Sequence, residues 1–155
     1  MDLLMREVTS RDSIDLLEWR NEPKVRSFSR NESIISENDH STWFTRRLGV
    51  LEKEPLWIFE SSIRKIGFVR FDLDETLTQF EISLTINPIM RGKGYGRIIL
   101  QRAIDECLII HQNANLCAFV HKNNIASKIL FRNCGFEEFE NQSNFLTFKR
   151  AAKLY

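Results

Sequence analysis

The residues best suited to chemistry are Arg91-Gly92-Lys93-Gly94-Tyr95-Gly96, where three glycines fall within five positions of a chain that has six in all. An alternating apolar run, residues 80–86, ends just before them at Asn87-Pro88, and an apolar-periodic stretch opens just after them at Arg97. A strand that runs into a glycine-rich loop, which then opens a helix, is a cradle for phosphate. Bare backbone N–H groups approach the anion closely, and the positive end of the helix dipole adds to the field. Arg91, Lys93 and Arg97 supply further positive charge.

The elements that position this loop follow along the chain. Residues 3–9 read as a first strand. Ser10 or Asp12 can cap a helix through Ile14, Leu16, Leu17 and Trp19, which Asn21-Glu22-Pro23 breaks. Residues 24–30 have no clean period, and a polar loop continues to Ser36. Ser36 with Asp39 forms a weakened capping box for a helix through His40, Trp43, Phe44, Arg47 and Leu48. Three strands follow as a meander: Leu56-Trp57-Ile58-Phe59-Glu60, then residues 66–72, then 78–86. Beyond the loop, a helix runs to about Ile110, with Ile98, Ile99, Leu100, Ala103, Ile104, Cys107 and Leu108 as its buried stripe. Residues 116–120 are almost wholly apolar, as in a central strand. A helix over 124–133 ends at Cys134-Gly135, and residues 136–139 and 145–149 close the chain as a hairpin. The order is β-α-α-β-β-β-α-β-α-β-β, an α/β domain with a mixed sheet over residues 1–155.

Composition limits the functional classes. The 155 residues carry a formal charge of only +1, which marks no nucleic-acid binder. No run of about 18 apolar residues offers a membrane span. The first residues, Met1-Asp2-Leu3-Leu4-Met5-Arg6, lack the basic start and apolar core of a signal peptide. Cys107, Cys117 and Cys134 lie too far apart for a zinc site or a disulfide framework. They read as reduced, buried thiols of a cytoplasmic protein, with no metal expected.

Two other phosphate ligands compete for the loop, beside a plain solvated glycine turn. The spacing is one residue short of the dinucleotide pattern, and the later strand ends at Val120-His121-Lys122 with no acid for a ribose. A P-loop needs a Lys-Ser/Thr pair after its last glycine, and none follows.

Asn87-Pro88-x-x-Arg91-Gly92-Lys93-Gly94-Tyr95-Gly96-Arg97 resembles the acetyl-CoA pyrophosphate loop of the GNAT acetyltransferases. Asn124-x-x-Ser127-x-x-Leu130-Phe131-x-x-x-Gly135-Phe136 is similar to a second segment of that family, and the element order also matches, so the resemblance covers nearly the whole chain. It implies a GNAT-type, mostly antiparallel mixed sheet with helices on both faces, and acetyl-CoA as cosubstrate. Backbone amides from Gly92 to Arg97 would hold the pyrophosphate. Leu84, Thr85 and Ile86 would pair with the pantetheine amides through a splay between their strand and residues 116–120. Asn124 and Phe131 would meet the cofactor arm.

Acetyl transfer to an amine needs a base for the amine, stabilisation of the oxyanion and release of the thiolate. Many members of the family carry a tyrosine acid where this chain has Phe131, and some carry a glutamate where it has Phe119. Glu81 resembles a base used by other members. Alternation puts Glu81, Ser83 and Thr85 on one strand face and Phe80, Ile82, Leu84 and Ile86 on the other. Glu81 is therefore either the base, with Ser83 beside it, or a solvated polar-face residue. His121 is either a proton relay or an idle surface histidine, and Tyr95 is a helix-start residue rather than an acid.

The N-terminal third is similar to a narrower group, N-acetyltransferases for nucleotide-linked 4-amino sugars of the pseudaminic acid type. The residues are Trp19-Arg20-Asn21, Val25-Arg26, His40 and Trp43-Phe44. The resemblance implies that Arg20, Asn21, Arg26, Arg30, His40 and Trp43 bind the acceptor, with arginines gripping its diphosphate. The alternative for the tryptophans is core packing, which fits Trp19 better. Two other functions remain open: acetylation of a protein N-terminus, as in ribosomal proteins, and CoA binding without catalysis. The expected assembly is a monomer or homodimer.

Overall fold

The computed structural model describes residues 2–152. Met1 and residues 153–155, the extreme ends of the expected 1–155 domain, lie outside them. One seven-stranded sheet has the order β1-β2-β3-β4-β5-β7-β6. In chain order the elements are β1 (Leu4–Glu7), α1 (Ser13–Asn21), α2 (Pro23–Ser27), α3 (Glu37–Leu48), β2 (Leu56–Glu60), β3 (Lys65–Leu73), β4 (Gln79–Ile86), α4 (Tyr95–Ile110), β5 (Asn115–His121), α5 (Ile125–Asn133), β6 (Glu137–Phe139) and β7 (Phe145–Arg150). Every strand pair is antiparallel except β4–β5. This is the expected mixed, mostly antiparallel sheet with helices on both faces.

Alternation along the strands builds a separate core on each face. Trp57 and Phe59 of β2 join Val69, Phe71, Phe80 and Ile82 under α4 and α5, which add Ile99, Leu100, Ala103, Ile104, Cys107 and Phe131. Leu56 and Ile58, with Phe68, meet Leu16 and Trp19 of α1 and Phe44 of α3 on the other face. Trp19 stacks on Phe68 at 6.2 Å, so it packs in the core as expected. Each fully buried large side chain contributes about 1.5–3 kcal/mol, so the α4 stripe alone anchors that helix. Cys107, Cys117 and Cys134 are all buried and free.

Three local expectations are corrected. The stretch after Asn21 forms the short helix α2, with Pro23 at its first position and Glu22 before it; five residues are too few to show a 3.6-residue period. Ile98 is half-exposed rather than part of the α4 stripe, and Ile14 is exposed on α1. Asp12 stands at the N-cap of α1 but does not cap it. Its wholly buried carboxylate instead takes Arg6 Nη1 at 2.8 Å, Lys65 Nζ at 2.8 Å and the Thr9 N–H at 2.8 Å. By contrast, Ser36 caps α3 as expected, accepting the Asp39 N–H at 3.1 Å.

Candidate active site

The parallel β4–β5 ladder holds only three pairs: Gln79 with Asn115, Phe80 with Leu116 and Glu81 with Cys117. Beyond Glu81 the strands part, so residues 82–86 of β4 have no ladder partner on the β5 side among the described residues. Unpaired backbone groups at such an edge call for a partner, and an extended amide-bearing ligand supplies one. At the same end β3 lies tight on β4. A side chain at Gly67 would place its Cβ 2.4 Å from the Thr85 carbonyl oxygen, so only glycine lets β3 close on β4 there.

The splay opens into a cleft of about 770 Å³, within the size range of ligand sites. Its floor includes Ser83, Leu84, Thr85 and Ile86. One end is the glycine loop, where Arg91, Gly92, Gly94, Tyr95, Gly96 and Arg97 line the wall. Gly92 and Gly94 have φ of +72° and +80° and open space where a Cβ would stand, so the backbone is bare toward the cleft. Gly94 is the N-cap of the 16-residue α4, whose first N–H groups have no intrahelical acceptor. Together the open edge and the bare loop fit an amide-bearing arm that ends in a diphosphate. Asn124 lines the opposite wall, and its side chain caps α5 by accepting the Ser127 N–H at 3.2 Å. Phe131 lies nearby, buried against Phe136 and Phe148.

Glu81 stands where the ladder ends. Its carboxylate pairs with Arg30, whose guanidinium also covers the Phe119 ring at 4.7 Å, so one side chain bridges the two parted strands. Burial pushes the Glu81 carboxyl above the usual glutamate range; Arg30 draws it down, Asp72 opposite pushes it up, and Arg70 draws it down. Arg20 reaches the same cavity, with Nη1 donating to Ser29 Oγ at 2.5 Å. His121 lines the wall between Phe28 and Phe145, and its Nδ1 accepts the Asn123 N–H at 3.1 Å.

The other expected acceptor residues lie behind the cleft wall. His40 sits 3.1 Å from Ser13 Oγ and packs against Trp43 and Phe44, because spacings of three and four put the three rings side by side on α3. Burial lowers its pKa, opposed by Ser13. Trp43 lies beneath the guanidiniums of Arg47 and Arg70, at 5.5 and 5.4 Å. Asn21 is spent on the loop that carries Arg30, donating to the Ile35 carbonyl at 2.9 Å and accepting the Ile35 N–H at 2.8 Å. Arg26 is half-buried and does not line the cavity, and neither does Lys93, which is exposed with Nζ 3.8 Å from Met90 Sδ.

Three charged residues in and around the cleft go unmarked in the sequence reading: Lys24, which lines the wall, Arg70 and Glu22. Arg70 of β3 lines the cleft opposite Ser83; strand alternation, which puts it on the face of Phe68 and Asp72, could have flagged it. Glu22 receives a bidentate pair from Arg91, with Nη1 at 2.9 Å from Oε1, and this pairing holds its carboxyl below the usual range. No local signal links partners 69 residues apart. Among the described residues no group of three or more His, Cys, Asp or Glu gathers as a metal site, and no helix is long and apolar enough to cross a membrane.

The family model for an acetyltransferase (GNAT) domain matches residues 2–137. No curated protein matches the chain. Solved structures share its fold. The protein yncA of Salmonella typhimurium, determined with its cofactor acetyl-CoA, superposes with a TM-score of 0.82 at 20% identity over 100% of this chain and 96% of that one. Spermidine N-acetyltransferase of Vibrio cholerae, with CoA and spermine, gives 0.80 at 20% over 95% and 92%. Ribosomal-protein-alanine N-acetyltransferase of Brucella melitensis gives 0.79 at 22% over 96% and 99%. The family model spans most of the chain, and the open β4 edge and glycine loop fit an acyl-CoA arm: this protein belongs to the GNAT family of acetyl-CoA-dependent N-acetyltransferases.

Proposed function

We propose that the chain, acting as one domain, moves an acetyl group from acetyl-CoA to the primary amine of a nucleotide-linked amino sugar. The observation that carries the catalytic part is the position of Glu81, at the last β4–β5 pair, where the ladder stops and the cleft begins. An ammonium must lose a proton before its nitrogen can attack. Glu81 accepts that proton, and its raised pKa makes it a better acceptor than a solvated glutamate. Ser83, on the same face, orients the amine. Backbone N–H groups of residues 84–86 hold the charge that gathers on the carbonyl oxygen.

The amides from Gly92 to Arg97 hold the diphosphate, with Arg91, Lys93 and Arg97 adding charge. Leu84, Thr85 and Ile86 align the pantetheine arm, and Asn124 and Phe131 close over it. Acetyl-CoA supplies the thioester. An ordinary thiol has a pKa near ~8.5, so a thiolate leaves without a side-chain acid, and phenylalanine at position 131 is compatible with turnover.

Charge supports the acceptor. The cavity wall carries Arg20, Lys24, Arg30 and Arg70 toward Glu81, and Glu81 is its one acidic side chain among the described residues. Such a wall repels a polyamine or a peptide amino terminus and attracts a diphosphate. Thiol release at constant acetyl-CoA, over amino-sugar nucleotides, polyamines and peptides, tests the reading. Turnover confined to the sugar nucleotides is expected. Turnover on peptides or polyamines alone would reject the acceptor, and CoA binding without any turnover would reject catalysis.

A further inference from the structure

We propose that Arg20 and Arg70 form an anion subsite beside Glu81, so that the acceptor carries a phosphate or carboxylate on the same small molecule as its amine. The inference rests on the cleft being the acceptor site, though not on the acceptor being a sugar or a nucleotide.

The subsite is built from behind. Arg70 lies opposite Ser83 and two residues from Asp72, which lies opposite Glu81, so strand alternation puts all four side chains on one face. Its Nε is 3.1 Å from Asp72 Oδ2, and its guanidinium rests over Trp43. Asp72 is itself held by Arg47, which is wholly buried and donates to the Glu54 and Phe71 carbonyls at 3.1 and 3.2 Å. Arg20 is fixed through Ser29, whose hydroxyl donates to the Val25 carbonyl at 2.7 Å. The terminal nitrogens of Arg70 and Nη2 of Arg20 make no hydrogen bond to any described residue. They remain as donors in a pre-ordered fork.

The charges do not balance without a ligand. Arg30 is paired with Glu81 and Arg91 with Glu22. Arg47 and Arg70 share the single carboxylate of Asp72, and Arg20 has no carboxylate partner among the described residues, its Nη1 donating to Ser29 Oγ. Burial, with Arg70 as the second cause, lowers the Arg20 pKa, as expected for two cations facing one cavity. An anion placed between them relieves that repulsion and receives bidentate hydrogen bonds. Arg70 is registered opposite Ser83, two residues from Glu81 on the same sheet face, so the anion and the amine sit close together on the acceptor.

Matched acceptor pairs test this: an amino-sugar nucleotide against the free amino sugar, and an amino acid against its decarboxylated amine. Within each accepted pair the anionic member should show kcat/KM about 100-fold higher. Arg20→Gln and Arg70→Gln should cut that preference to below about 10-fold through KM, Arg70→Lys should restore part of it, and CoA affinity by calorimetry should stay unchanged. Inorganic pyrophosphate should also bind the CoA-saturated protein, and less tightly in both glutamine variants. Preference for amino acids over sugar nucleotides would leave the subsite standing and sink the nucleotide reading. Equal rates within pairs, a preference that survives both variants, or no pyrophosphate binding when no acceptor turns over would overturn the subsite.

Discussion

Under α4 and α5 the sheet buries an apolar core of phenylalanines, isoleucines and leucines, whereas under α1–α3 it buries a smaller apolar core together with Asp12, His40 and Arg47. The first face ends in the glycine loop, and the second ends in Glu81, Arg20 and Arg70. The difference separates two tasks. The α4 face needs only hydrophobic burial to hold a backbone cradle, because backbone amides bind phosphate whatever side chains stand behind them. The α1–α3 face must fix charged side chains in a partly dry cavity, and buried charges persist only when paired and hydrogen-bonded. Its network of Arg47, Asp72, Arg70 and Trp43 pairs those charges, while Arg47 Nε and Arg70 Nε make no hydrogen bond to any described residue.

The contrast is broken most severely at the loop. Gly94→Asp forces a side chain into φ +80° and places a carboxylate where the proposed site would hold the diphosphate. Acetyl-CoA affinity should fall more than ~100-fold by calorimetry. Unchanged affinity would refute the loop's role. Glu81→Gln tests the other face. It should lower kcat by about 10²–10⁴-fold, the range of general-base catalysis, while cofactor affinity holds and the acid limb of the pH profile flattens. A pH–rate curve matching the parent's would remove Glu81 from the mechanism.

The same contrast explains what could be read in the sequence. The cradle was legible because its requirements are local: the closely spaced glycines and the alternation of residues 80–86 are each written in a few consecutive residues. The acceptor wall was legible in part. Arg20 and Arg30 line the cleft, but Trp43 lies behind Arg70, which lines it instead, and His40 turns toward Ser13. Helical spacing shows which residues share a face, not which neighbour that face meets. The pairings of Arg30 with Glu81 and of Arg91 with Glu22 span 51 and 69 residues. Nothing short of the folded topology brings them together.

Stability should separate the faces as well. Asp12 is wholly buried among Arg6, Lys65 and the Thr9 N–H. Burial pushes its carboxyl up, but the hydrogen bonds from Arg6 and Lys65 prevail and hold it well below the usual range. Asp12→Ala removes the carboxylate that Arg6, Lys65 and the Thr9 N–H share, but Arg6 keeps Glu60 and Lys65 keeps Asp15, so it should cost about 1–3 kcal/mol in urea unfolding. A depressed carboxyl stabilises fully above its unfolded pKa and loses that contribution as pH falls toward the folded value. The variant should therefore lose less stability than the parent on acidification. A cost within about 0.5 kcal/mol, as for an ordinary surface site, would show that the buried network does not hold β1 against β3.

The smallest effect is the sharpest probe of the acceptor face. Arg30 draws the Glu81 carboxyl down, against the burial that raises it. Arg30→Gln removes the favourable charge, so the Glu81 pKa should rise, and the acid limb of kcat/KM, which reports the free enzyme, should move to higher pH. Arg30 is 57% exposed, so water and salt already screen it and the movement should be small. High salt should shift the parent's limb in the same direction and leave the variant's nearly still. Gly94→Ala, on the other face, should weaken cofactor binding without moving the limb. A limb that moves down in Arg30→Gln would mean that Arg30 does not pair with Glu81 in the free enzyme. A limb equally sensitive to salt in parent and variant would assign the screening to Arg70 instead, the other guanidinium that lowers the Glu81 pKa.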